Sequence, residues 1–174
     1  MNIMKVTEAL MITKPMQDAI NEQINKELYS SYLYLSMAAF FANKNLAGFS
    51  KWLHMQADEE REHAMKLYAH LEDRGGRVLL KAIAAPKTEW ASNLEAFKEV
   101  AAHEAAVTAS IHALYETALA EKDYPAQVML QWFINEQVEE EKNAAEIVAN
   151  LGLIEERGTA VLMLDKQLGK RSGE

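Results

Sequence analysis

Asp58-Glu59-Glu60-Arg61-Glu62-His63 lies in the middle of a long helical pattern, and the fold is decided there. The mostly apolar line through it runs Phe49, Leu53, Gln56, Glu60, His63, Leu67, Leu71. Alternating four- and three-residue steps are the seam of a helix packed in a bundle. Glu60 and His63 interrupt that seam one turn apart. Side chains at i and i+3 project the same way, so a carboxylate and an imidazole enter the core together. An unpaired buried carboxylate is very costly. A divalent metal is a partner that both groups can share.

Other helical stretches answer this one. Thr13 reads as an N-cap with Pro15 in the first turn, opening a helix to about residue 42. Its seam is Ile20, Ile24, Glu27, Ser31, Tyr34, Ala38, Phe41. A second helix spans about 46–74 and stops at Gly75-Gly76, a C-terminal signal. Ser92 and Glu95 form a capping box for a third helix, with the seam Phe97, Ala101, Glu104, Thr108, Ile111, Tyr115, Ala118. After a turn at 122–125, a fourth helix carries Ala126, Leu130, Phe133, Gln137, Glu140, Ala144, Ile147, Leu151. A short fifth helix is expected at about 159–168, with Val161, Leu162, Leu164 and Leu168 as its apolar set. The chain reads as a single domain over 1–174: a lead at 1–12, a four-helix bundle at about 14–151, and the fifth helix.

Connection lengths set the topology. The first-to-second and third-to-fourth turns are short, so each pair is antiparallel. The second helix is about 43 Å long. The segment 75–91 can extend to roughly 56 Å, enough to travel the bundle's length and leave the second and third helices parallel. The fold class is therefore all-α, a four-helix bundle with one long crossover.

The composition agrees. The 174 residues are 49% hydrophobic with only 7 Gly and 3 Pro, which favours a helical globule. There is no Cys, which excludes disulfides, thiolate metal sites and Cys nucleophiles; a reducing cytoplasm is compatible with that. Net charge is −8, so a nucleic-acid partner is disfavoured and cations are favoured. The N-terminus lacks the charged start and apolar run of a signal peptide. No stretch approaches the ~18 apolar residues of a membrane span.

Each polar intrusion falls near the midpoint of its helix, so Glu27, Glu60, His63, Glu104, Gln137 and Glu140 should meet in one layer. Four carboxylates there would repel strongly, and two divalent cations would balance them. Carboxylates and imidazole without thiolate suit iron, manganese or zinc, and affinity alone does not choose. The Glu-x-x-His step is also the half-site of dinuclear carboxylate bundles. Tyr34 lies a heptad beyond Glu27; periodicity alone reads it as a packed aromatic, while a phenol beside a metal pair could donate a hydrogen bond or an electron. Glu59, Glu136 and Glu139, with Glu141, read as a solvated acidic face or an accessory third metal site. His54, His70, His103 and His112 read as ordinary helix residues, and Trp52, Trp90 and Trp132 as packing.

Three strings resemble ferritin: Asn25-Lys26-Glu27-Leu28-Tyr29-Ser30-Ser31-Tyr32-Leu33-Tyr34, Glu59-Glu60-Arg61-Glu62-His63, and Asn135-Glu136-Gln137-Val138-Glu139-Glu140-Glu141. The resemblance extends from Lys14 to Leu168. It implies a non-haem ferritin of prokaryotic type with animal heavy-chain-like features. One iron would be held by Glu27, Glu60 and His63, and a second by Glu60, Glu104 and Glu140 with Gln137 nearby. Tyr34 matches the tyrosine beside that centre, and Glu59, Glu136, Glu139 and Glu140 match a third iron site. Bacterioferritins carry a haem-ligating Met where this chain has Arg61, so haem is not expected. The implied activity is ferroxidation of Fe(II) by O2 or H2O2, with storage in a cytoplasmic homo-oligomeric cage of twenty-four subunits. Gln127 and Leu130 stand where animal ferritins line a pore with acids, so that route is not implied for iron here. Two other classes share parts of this pattern: a stand-alone di-iron or di-manganese oxidase or peroxidase, and a DNA-protecting mini-ferritin. The fifth helix argues against the first. The ligands within one bundle and the acidic charge argue against the second.

Overall fold

A computed structural model describes residues 11–155 and 157–171; of the N-terminal lead, residues 1–10 lie outside the described residues. The described chain forms α1 (Lys14–Asn43), α2 (Ala47–Asp73), α3 (Asn93–Ala120), α4 (Tyr124–Ile154) and α5 (Gly158–Leu168), with no strand among the described residues.

The helix ends are written in side chains. The Thr13 hydroxyl accepts from Met16 N, and Pro15 occupies the first turn of α1. The turn to α2 places Asn45 at φ 58°, a left-handed conformation that Asn tolerates better than most residues. At the end of α2, Gly75 adopts φ 68°, while Gly75 N donates to Glu72 O and Gly76 N to Leu71 O. Those bonds satisfy the carbonyls that an ending helix leaves orphaned. Ser92 accepts from Glu95 N at 3.0 Å, and Glu95 reaches back to Ala91 N at 2.7 Å.

Asp123 caps α4 by accepting from Ala126 N and also receives both arms of Arg74, at 2.7 and 3.3 Å. Arg74 ends α2 and Asp123 follows α3. The two helices therefore finish at the same end of the bundle and run parallel, as the crossover length requires.

The expected seams of α2 and α4 lie wholly in the core, while on α1 and α3 Ser31, Ala101, Thr108 and Tyr115 are only half-buried. All seven positions from Phe49 to Leu71 on α2 are buried, and so are all eight from Ala126 to Leu151 on α4. Apolar packing divides into two clusters along the bundle, one around Phe41, Phe49 and Phe97, the other around Ile20, Leu71 and Ile111. The polar layer falls between them. Leu130 is buried in the core, and Gln127 donates to Ala118 O.

α5 packs across the start of α2. Leu46 supplies no side-chain cap to α2. Instead Asp165 Oδ1 accepts from Gly48 N at 2.7 Å and Phe49 N at 2.9 Å, placing a carboxylate at a helix N-terminus from far along the chain. The approach is close: a Cβ on Gly48 would stand 1.7 Å from Asp165 O. Within α5, Val161 and Leu164 are buried, whereas Leu162 is exposed and does not join the core.

Candidate metal centre

The four long helices bring Glu27, Glu60, His63, Glu104, Gln137 and Glu140 into one layer, each of them buried. Ligand atoms of Glu27, Glu60 and His63 lie within 4.8 Å of one another, and His63 Nδ1 is 3.7 Å from Glu60 Oε2. Gln23, one turn before Glu27, donates to Glu27 Oε1 at 2.8 Å. Gln56 donates to Glu140 Oε2 at 2.8 Å. Gln137 donates to Glu104 Oε2 at 3.2 Å, and Tyr34 donates its phenolic hydrogen to Glu104 Oε1. Three carboxylates are thus each fixed by a neutral donor.

What remains unsatisfied is specific. Glu27 Oε2 and both Glu60 oxygens are buried with no donor from any other residue, and the two carboxyls are close enough to share a proton. Buried polar atoms are normally paired, so three orphan oxygens beside an imidazole call for a proton or a cation. The titration behaviour agrees. Burial pushes the Glu27 carboxyl up to about 7. It holds Glu60 well above the ordinary carboxylate range, with the charges of Glu104 and Glu27 adding to it. Glu140 rises to about 8, through burial and then the Glu104 charge. Glu104 is also raised by burial, against the opposing pull of its bonds from Tyr34 and Gln137. Burial lowers His63 to about 4, and Lys66 adds to that, so its imidazole is neutral and able to ligate at physiological pH. The donor set fits a pair of oxygen- and nitrogen-loving divalent ions.

A cleft of about 580 Å³ between α2 and α4 reaches His63 and Glu140 and is lined also by Glu59, Glu136, Glu139 and Arg171. Glu136 presents a ligand atom within 4.8 Å of those of His63 and Glu140. Glu59 is bound by Arg171 at 2.7 and 2.9 Å, and Glu139 is exposed. The candidate third set therefore shares one cleft, with Glu136 drawn nearest the buried polar layer.

Residues outside the seam reading also shape the site. Trp132 meets the His63 ring edge-on, centroids 5.4 Å apart, and Phe133 meets it at 5.8 Å, which fixes the imidazole's plane. His103 points away from Glu104, as its position on the helix implies, yet it is not idle. Its Nε2 bonds Ser30 Oγ at 2.8 Å, and its ring packs edge-on to Tyr34 at 5.7 Å. Gln23 was legible as the residue four before Glu27 on the same face. Arg61, where a haem-ligating Met would stand, is exposed.

Residues 17–154 match the ferritin-like domain. The chain belongs to the ferritin family. It is 40% identical over 162 residues to the bacterial non-heme ferritin of Staphylococcus saprophyticus, across 93% of this chain and 97% of that one. It is 36% identical to the Staphylococcus aureus protein of the same name, across 93% and 98%. Among solved structures it is similar to an open-pore ferritin from the hyperthermophilic archaeon Archaeoglobus fulgidus. That similarity has a TM-score of 0.92 at 50% identity, covering 92% of this chain and 99% of that one. A form of the archaeal ferritin engineered to be closed gives 0.92 at 49% identity, over 94% and 99%. No helix among the described residues of this ferritin is long and apolar enough to cross a membrane.

Proposed function

We propose that this ferritin binds two Fe(II) ions between the helices of each subunit, oxidises them with O2 or H2O2, and stores the product as a ferric mineral inside a homo-oligomeric cage of twenty-four subunits. The observation that carries the reading is the trio of buried oxygens on Glu27 and Glu60 that receive no donor but each other's carboxyl, beside neutral His63. Glu27, Glu60 and His63 hold one Fe(II). Glu60, Glu104 and Glu140 hold the other, with Glu60 shared. Each Fe(II) gives one electron, and two electrons with two protons reduce O2 to hydrogen peroxide. The carboxylates favour the higher charge of the Fe(III) product, while Gln23, Gln56 and Gln137 keep them oriented as that charge changes. Tyr34, held against Glu104, stands beside the pair and acts at the oxidation step. Glu59, Glu136 and Glu139, sharing Glu140, form a third iron site in the cleft. Haem has no part in this reading, since Arg61 offers no axial ligand.

Sedimentation of the purified protein, followed by Fe(II) addition in air, tests the whole. The expected result is a particle of several hundred kilodaltons that oxidises two Fe(II) per subunit in a fast phase and retains iron afterwards. A monomer or dimer that oxidises iron but releases it would make the protein a stand-alone oxidase. A twelve-subunit shell would point to the mini-ferritin class.

Metal binding should strengthen as pH rises. At pH 6 Glu27, at about 7, and Glu140, at about 8, hold protons that a metal must displace, whereas His63, at about 4, is already neutral. Apparent Zn2+ affinity should therefore climb between pH 6 and 8, by about tenfold per pH unit for each proton displaced. Proton release on binding should shrink toward pH 8. Equal affinities at pH 6 and 8 would show that both carboxyls are ionised before metal arrives.

A further inference from the structure

The cleft between α2 and α4 already contains a cation, and it belongs to the chain. Arg171 follows α5 and reaches α2, where its Nη2 donates to both oxygens of Glu59 at 2.9 and 2.7 Å. Its Nη1 donates to Gln56 Oε1, and Gln56 Nε2 in turn donates to Glu140 Oε2 at 2.8 Å. The guanidinium lies 5.1 Å over the Trp52 ring. Both partners of the ion pair are largely shielded, Arg171 at 22% and Glu59 at 24% side-chain exposure, so water screens it less than a surface pair. The arm that carries Arg171 is anchored: Asp165 caps α2, and Lys51 Nζ donates to Gly169 O at 3.0 Å.

We propose that Arg171 is a tethered cation that competes with metal for the third site, holding Glu59 directly and Glu140 through Gln56. The proposal rests on the reading that Glu59, Glu136, Glu139 and Glu140 take a third iron. Glu59 is one of the four carboxylates of that set, and Arg171 donates to both of its oxygens. The lock is specific because the two arms of one guanidinium are divided, Nη2 on both oxygens of Glu59 and Nη1 on Gln56 Oε1. Loading the third site exchanges a single positive charge for a divalent one. It also releases Gln56 Oε1 from Arg171, loosening the amide whose Nε2 donates to Glu140. Arg171 is thus a positioning residue that keeps the third site weak until iron is abundant and couples its filling to a ligand of the dinuclear centre.

Calorimetric titration of the assembled protein with Zn2+, a redox-inert probe, tests this. Wild type should bind two ions per subunit tightly and a third weakly. Arg171→Ala should tighten the third ion by about tenfold or more, with the tight pair retained. Arg171→Lys, which keeps the charge but has one nitrogen in place of the two that hold Glu59 and Gln56, should fall between the two. Glu136→Ala should lose the third ion and keep the pair, marking which event is read. A third ion that binds Arg171→Ala no more tightly than wild type overturns the proposal and leaves the third site standing. Absence of a third ion from wild type and Arg171→Ala alike overturns the third-site reading and the proposal with it. Loss of the tight pair in Arg171→Ala would mean that the arginine organises the dinuclear centre, which also overturns the competition.

Discussion

Glu60→Gln should stabilise the metal-free protein and abolish binding of the metal pair. The two effects have one cause. Both Glu60 oxygens are buried with no donor apart from the Glu27 carboxyl, and the Glu104 charge adds to that burden. Such a group costs about 1–3 kcal/mol when left unpaired, and an amide of the same shape carries no charge and can donate to Glu27. The sign follows from the raised pKa of Glu60. The folded state holds that proton more tightly than the unfolded chain, so the associated stability is complete below the ordinary value of 4.5 and is lost as pH rises. Glutamine should therefore give little near pH 4.5 and most near pH 8. There Tm with chelator present should rise by about 2–4 °C per kcal/mol for a chain of this size. Calorimetry at both pH values, with a Zn2+ titration, checks it. A variant destabilised at pH 8, or one still binding two ions tightly, would refute the role of Glu60 as the shared ligand.

Tyr34→Phe should leave binding of the metals nearly unchanged and slow their oxidation. The phenol is fully buried and donates to Glu104 Oε1. Burial and the Glu104 charge hold its own pKa well above 10, so it stays a neutral donor throughout the working range. A hydrogen bond to a charged group contributes about 1.5–3 kcal/mol. If that contribution is felt during oxidation, the loss is about tenfold to a hundredfold in rate. Phenylalanine also removes any phenol-centred radical signal. Stopped-flow absorbance and rapid-freeze spin resonance read both effects. Oxidation at the wild-type rate with the same radical signal would reduce Tyr34 to a packing residue.

The buried polar layer was legible in the sequence because helical periodicity is a direct record of burial. Glu27, Glu60, Glu104 and Glu140 each fell on an apolar line, and each is buried. The crossover could be argued from chain length and is fixed in space by Arg74 and Asp123. The contacts that orient the ligands were less visible. Gln56 appeared on its seam, but nothing local says that its amide spans Arg171 and Glu140, partners far away in the chain. Trp132 is one residue, about 100°, from the seam position Phe133, and its edge contact with His63 depends on how α2 and α4 are rotated against each other. Asp165 stands in for the cap that Leu46 cannot provide, a tertiary solution to a local deficiency. Leu162 belongs to the apolar set of α5 yet is exposed, because a short apolar run does not reveal which side of an 11-residue helix faces in.

The central claim is that the metal pair lies within each subunit. Anaerobic soaking of crystals with Fe(II), followed by anomalous diffraction at the iron edge, tests it most directly. The account predicts two iron peaks per chain, one among Glu27, Glu60 and His63, the other among Glu60, Glu104 and Glu140, with Glu60 between them. Iron found only at contacts between subunits, with this layer vacant, would contradict it.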